Sequence, residues 1–166
     1  MVMIPIKIGA EIVGYKGRKI VQCDKRYRFY NTPNMKKPLF CLDKIEKGIA
    51  VFITEAELDC LTLWSWGLEA ISILGSHITP LQLEQLKHSN ITKVIVALDN
   101  DAIGKEASIK LLEELKELNI NIQLLTYKAG VTQKDANDFK SLEEYKSSVN
   151  IHNYKTVLTT FRFNTH

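Results

Sequence analysis

KVIVALDNDAIGKEASIKLLEELKEL, residues 93–118, runs from an apolar stretch through two aspartates into an amphipathic one. KVIVAL (93–98) lacks polar alternation, as expected of a strand buried on both faces. In residues 102–118, Ile109, Leu112, Leu115 and Leu118 fall on one stripe of a helix. Asp99 and Asp101 occupy the turn between the two. Strand, acidic turn and helix make one βα unit, and the same rhythm recurs on either side.

Three more apolar runs read as buried strands: IAVFIT (49–54), EAISIL (69–74) and IQLLTY (122–127). Helical patterns lie between and after them. Residues 56–66 end at Gly67, a good C-terminal cap. Residues 80–89 begin with Thr79 as cap and Pro80 in the first turn. Residues 141–149 begin at Ser141 with Glu144 three positions on, a capping-box pattern. This alternation predicts an α/β fold with a central, mainly parallel four-stranded sheet flanked by helices. The boundaries expected are 1–48 for an N-terminal subdomain, 49–149 for the α/β domain and 150–166 for a tail. The tail, from 151, has β-propensity and reads as an extra strand, a frayed end or the start of a further region.

Residues 1 to 38 have a different texture. They are rich in β-formers and broken by Gly9, Gly14, Gly17, Pro33 and Pro38, which predicts short strands and turns. The 166-residue chain carries a net charge of only +3, but Lys16, Arg18, Lys19, Lys25, Arg26, Arg28, Lys36 and Lys37 face a single acid, Asp24, between Gly14 and Lys37. That run reads either as a solvated face or as a surface for a polyanion. Cys23, Cys41 and Cys60 have neither disulfide nor metal-ligand spacing, so reduced thiols and a cytoplasmic location are expected. The opening MVMIPIKIGAEIVG is too short in its apolar run for a signal peptide, and no stretch is long enough to span a membrane.

In an open α/β sheet, chemistry collects at the carboxyl ends of the strands. Glu55 follows the first run, Asp99 and Asp101 follow the third, and Asp135 and Asp138 lie after the fourth. Asp59 sits one helical turn beyond Glu55. Converging carboxylates suit a hard cation such as Mg²⁺, which uses one or two of them together with water and substrate phosphate. Each acid also has a plain structural reading. Asp101 would cap the helix 102–118 in any case, and Glu55 complements a helix start.

Three stretches, TEAELDCLTL (54–63), VALDNDAIGKEA (96–107) and QKDANDF (133–139), resemble the signature motifs of the Toprim family. GYKGRKI (14–20), RFYNTPN (28–34) and PLFCLDKI (38–45) resemble the segment that precedes the Toprim fold in the RNA polymerase core of bacterial and phage-type DNA primases, including primase–helicases. The resemblance covers residues 12–140. It implies a Toprim (Rossmann-like) domain preceded by a small, basic, mostly-β subdomain. The activity implied is metal-dependent nucleotidyl transfer, making short RNA primers on single-stranded DNA from ribonucleoside triphosphates with Mg²⁺ or Mn²⁺. Glu55, Asp99 and Asp101 are then catalytic. Asp99 and Asp101 are the main metal ligands, Glu55 is associated with the metal, and Asp59 and Asp135 support a second ion. Arg18, Arg28 and Asn31 face template or nucleotide, and Lys105 approaches a phosphate. A replicative helicase and a separate zinc-binding module are the further partners implied. A phage or mobile-element origin is also implied, and a membrane partner is not.

Two alternatives use the same residues. A Toprim nuclease would keep the acids and use water as nucleophile. A non-catalytic module would bind single strands through the basic face, with Tyr27, Phe29 and Tyr30 stacking on bases. Strand-face packing is the competing reading of those aromatics. Two departures from the family pattern stand out. Ala56 replaces a glycine in the first motif, so the turn there is either conventional or remodelled. Ile103 replaces a small residue.

Overall fold

A computed structural model describes residues 1–22, 24 and 28–154. Cys23, Lys25, Arg26, Tyr27 and residues 155–166 lie outside the described residues. The N-terminal part is an antiparallel sheet of β1 (Val2–Ile8), β2 (Glu11–Arg18) and β3 (Phe29–Asn31), in that order. Gly9 turns the β1–β2 hairpin in the left-handed region, at φ 59°. A 3-10 turn at Leu42–Lys44 then leads into the second sheet.

That sheet takes β4 (Val51–Thr54), β5 (Ala70–Ser72), β6 (Lys93–Val96), β7 (Asn121–Tyr127) and β8 (Val149–Asn153), in the spatial order β5-β4-β6-β7-β8. The first four are parallel, and β8 pairs antiparallel with β7. The four strands expected are all present, and the sheet is five-stranded because residues 149–153 add an edge. An extra strand is one of the readings given for the tail, and it starts at 149 rather than 151. VNIHN is exposed at three of its five positions, and it leaves its helix with no intervening turn. It is held by ladder bonds and by Thr126 Oγ1 against His152 Nε2 at 2.9 Å.

The helices are α1 (Glu57–Ser65), α2 (Pro80–Lys87), α3 (Ala102–Leu115) and α4 (Leu142–Ser148). They cover both faces of the sheet, which is why the strand runs are apolar throughout. Val51, Ile53, Val94 and Val96 point to one side and pack with Leu86 of α2 and Leu111, Leu112 and Leu115 of α3. Phe52, Ile95 and Leu125 point to the other and meet Leu63 of α1 and Tyr145 of α4.

The helix caps follow the expected chemistry fully at Thr79 and in part at Ser141. Thr79 and Gln82 make a full capping box. Ser141 accepts from Glu144 N–H, while the Glu144 carboxylate reaches Lys140 N–H, one residue before the cap. Gly67 follows α1 at φ 76°. Cys41 and Cys60 are free thiols. No helix among the described residues is long and apolar enough to cross a membrane.

Candidate metal centre and basic face

Parallel pairing of β4 with β6 sets Ile53 opposite Val96, so their carboxyl ends leave the sheet side by side. After β4, Thr54 Oγ1 donates to the carbonyls of Ala56 and Ile71. The Glu55 carbonyl accepts from Ser72 Oγ at 3.0 Å and from Gly75 N–H at 2.9 Å. Ala56 is extended, φ −108° and ψ 156°, so the turn is conventional and needs no glycine. One turn into α1, Asp59 is 4% exposed.

After β6, Asp101 caps α3 by accepting Gly104 N–H at 2.8 Å. Gly104 is there for close approach. A Cβ on it would run into the Asp99 carbonyl and lie 2.8 Å from the Asp99 Cβ. Asn100 ties this turn to the loop after β7. Its N–H donates to the Lys134 carbonyl at 2.7 Å, and its side-chain amide donates to those of Val131 and Gln133. Asp135 starts a 3-10 turn at Ala136–Asp138 and accepts Asn137 N–H at 2.9 Å. The Asn137 side chain donates to Asp59 and accepts from Thr62 Oγ1.

The result is a trio. Asp59, Asp99 and Asp135 each offer an oxygen, all within 4.8 Å of one another. Glu55 lies close enough for Asp99 to act on it electrostatically, while Asp101 is turned to its cap and to Lys134. Lys134 Nζ is 2.9 Å from Asp99 Oδ2 and 3.2 Å from Asp101 Oδ2.

The electrostatics follow from the crowding. Burial, then the charges of Asp135 and Asp99, push the Asp59 carboxyl up to about 8. Burial and the neighbours Asp138 and Asp99 raise Asp135. Burial and then Asp99 raise Glu55. Asp101 is held below the usual range, first by the Gly104 N–H. Bonds to Asp99 and Asp101 raise Lys134. Three carboxylates forced together with oxygen donors only are matched by a hard divalent cation, so the residues present fit one.

A pH signature is expected. Folded Asp59 holds its proton to about pH 8, whereas an unfolded aspartate releases it near about 3.9. Between those values the folded chain binds more protons, so stability falls as pH rises. Thermal melting without metal should therefore decline from pH 5 to 8.5, and Mg²⁺ should remove most of that decline. A melting temperature that climbs with pH in metal-free buffer would contradict this assignment.

The basic sheet lies against the start of α1. Arg18, 5.7 Å over the Phe29 ring, and Arg28 line a cavity of about 550 Å³ that reaches Leu58 of α1. Asn31, Lys16 and Lys37 line another of about 340 Å³ that ends at Leu74, next to the Gly75 bonded to Glu55. Phe29 and Tyr30 are 57% and 42% exposed, so they are not core residues. Lys105 is exposed in the first turn of α3.

Lys16 also ion-pairs with Glu57 at the start of α1, joining the basic sheet to the acid-bearing helix. Glu57 Oε2 has no hydrogen-bond donor of good geometry, so the Lys16 charge is what it faces. Both side chains are mostly buried, at 19% and 11% exposure. A Lys16→Met/Glu57→Gln double-mutant cycle, read by urea unfolding, should give a coupling of about 1–2 kcal/mol, above the usual surface pair.

Sequence reasoning did not assign roles to Lys134, Asn137, Asn100 or Glu57. Lys134 and Asn137 stand within QKDANDF (133–139), and their roles come from partners across the fold. The Lys16–Glu57 pairing has no local signal.

Residues 52–140 match the model of a protein family described as Toprim-like. The DNA primase of Thermotoga maritima is 32% identical over 137 residues, which cover 75% of this chain and 24% of that protein. The DNA primase of Mycoplasma genitalium is 27% identical over 135 residues, covering 76% and 22%. The chain thus spans less than a quarter of the length of these relatives. The crystal structure of the zinc-binding and RNA polymerase domains of the Aquifex aeolicus primase superposes with a TM-score of 0.74 at 26% identity, over 98% of this chain and 43% of that one.

Proposed function

We propose that this chain, which belongs to the Toprim-like family, is a primase-type catalytic core that joins ribonucleotides on a single-stranded DNA template with Mg²⁺ or Mn²⁺. One observation carries the reading. The likeness to the Aquifex primase takes in 98% of the chain, so it includes the basic N-terminal sheet as well as the acidic centre. A nuclease needs the acids, whereas a polymerase also needs a surface that holds template and nucleotide beside them.

Asp59, Asp99 and Asp135 would hold the cation, which when bound supplies neutralisation of phosphate charge and acidification of the attacking hydroxyl. Glu55, raised above the usual carboxylate range, accepts the proton of that ribose hydroxyl on its carboxylate. Asp101 keeps the start of α3 and Lys134 in place. Arg18 and Arg28 hold template phosphates, with Phe29 and Tyr30 stacking on bases. Asn31, with Lys16 and Lys37, orients the incoming nucleotide, and Lys105 faces its phosphates. A zinc-binding module and a replicative helicase would act as separate partners.

The test incubates the protein with single-stranded DNA, labelled ribonucleotides and Mg²⁺ or Mn²⁺. Short RNA products are expected. Shortened template without new product would instead identify a nuclease, and binding with neither outcome would identify a non-catalytic module.

A further inference from the structure

Asp99 and Asp101 are bridged by one ammonium group, and that group is held in place. Lys134 Nζ lies 2.9 Å from Asp99 Oδ2 and 3.2 Å from Asp101 Oδ2. The lysine backbone is fixed on both sides. Its carbonyl accepts Asn100 N–H at 2.7 Å, and its N–H donates to Asp138 Oδ2 at 2.8 Å. Asn100 lies between the two aspartates, so the segment bearing Lys134 is stapled to the segment bearing both carboxylates. The side chain is 53% exposed, yet its charged end has two acids to bind.

Asp101 is thereby fully engaged. One oxygen caps α3 through Gly104 N–H, and the other meets Lys134. Asp99 is shared, since it belongs to the trio with Asp59 and Asp135 and also binds the lysine. Two-ion phosphoryl-transfer centres place their ions about 3.5–4 Å apart across a shared carboxylate. Here Asp99 is common to the trio and to the ammonium pair.

We propose that Lys134 is a tethered cation filling the position between Asp99 and Asp101, so that the free protein takes a single divalent ion at Asp59, Asp99 and Asp135. This rests on the metal-centre reading above and deepens it. A tethered group competes at an effective concentration of about millimolar or more, comparable with free Mg²⁺ in ordinary buffers. Unlike an ion, it leaves by bond rotation and cannot be removed by a chelator.

Mn²⁺ titrated into the full chain, with bound ions counted by loss of the free-ion EPR signal, tests this. One ion per chain is expected for the wild type and for Lys134→Arg, and two for Lys134→Met and for Lys134→Gln. The double variant Lys134→Met/Asp101→Asn should return to one. The first ion should bind about tenfold tighter in Lys134→Met, because a nearby positive charge is gone. Circular dichroism confirms that each counted variant is folded, and the two neutral substitutions guard against either one failing to fold. Two ions in the wild type, or one in both neutral variants, overturns the inference and leaves the metal centre standing. No ion in the wild type overturns the metal centre, and the inference with it.

Discussion

Under the proposed function, Asp99→Asn should abolish primer synthesis, with a loss of at least about 10³-fold, while leaving the chain folded. The activity term is large because Asp99 is the carboxylate common to the trio and to Lys134. Losing transition-state charge stabilisation of about 4 kcal/mol corresponds to about three decades in rate. The stability term is small, because two contributions oppose one another. Asp99 raises the carboxyls of Glu55, Asp59 and Asp135, but it also pairs with Lys134 Nζ at 2.9 Å. An isosteric amide removes both the repulsion and the ion pair, and a net change within about 1 kcal/mol is expected in metal-free urea unfolding. A variant that is inactive and also unfolded would show a structural role for Asp99. Retained activity would remove it from the centre.

Gly104→Ala should destabilise the protein by about 2–3 kcal/mol and weaken divalent-ion binding with it. Propensity alone points the other way, since Gly→Ala in a helix interior gains about 1 kcal/mol. Packing decides the sign here. The new Cβ would overlap the Asp99 carbonyl and lie 2.8 Å from the Asp99 Cβ, and backbone cannot yield as a flexible side-chain end can. Overpacking of this kind costs about 1–3 kcal/mol or more. Relief of the clash moves Asp99 or the start of α3, and the Asp101 cap opens with it. Urea unfolding with and without Mn²⁺ measures both effects. A stabilised variant with unchanged ion binding would refute the close-approach argument.

Much of the site was legible in the sequence because its acids follow strand ends. Glu55 and Asp99 stand where buried runs stop, Asp135 lies in the loop after the fourth, and a parallel sheet brings such ends to one edge. The relative standing of the acids was less legible. The resemblance implies Asp99 and Asp101 as the main metal ligands, whereas the structure turns Asp101 to Gly104 and Lys134. The resemblance gives Asp59 a place at a second ion, and in the structure it is 4% exposed and joins Asp99 and Asp135. Nothing near Asp59 in sequence signals Asn137, which bonds it from 78 residues away. Ala56 looked like a departure from the family pattern, and its extended backbone shows that no glycine is needed there.

The sequence by itself determined the α/β alternation, the helix caps and the set of acids available at the strand ends. These are periodic or short-range properties, written into neighbouring residues by burial on both sheet faces and by local hydrogen bonding. Only the tertiary structure decided that β8 closes one edge, that Lys16 clasps Glu57, and that Asp59 rather than Asp101 completes the trio. Those outcomes depend on distances between side chains far apart along the chain. Strand order and helix packing set such distances, and no local pattern encodes them.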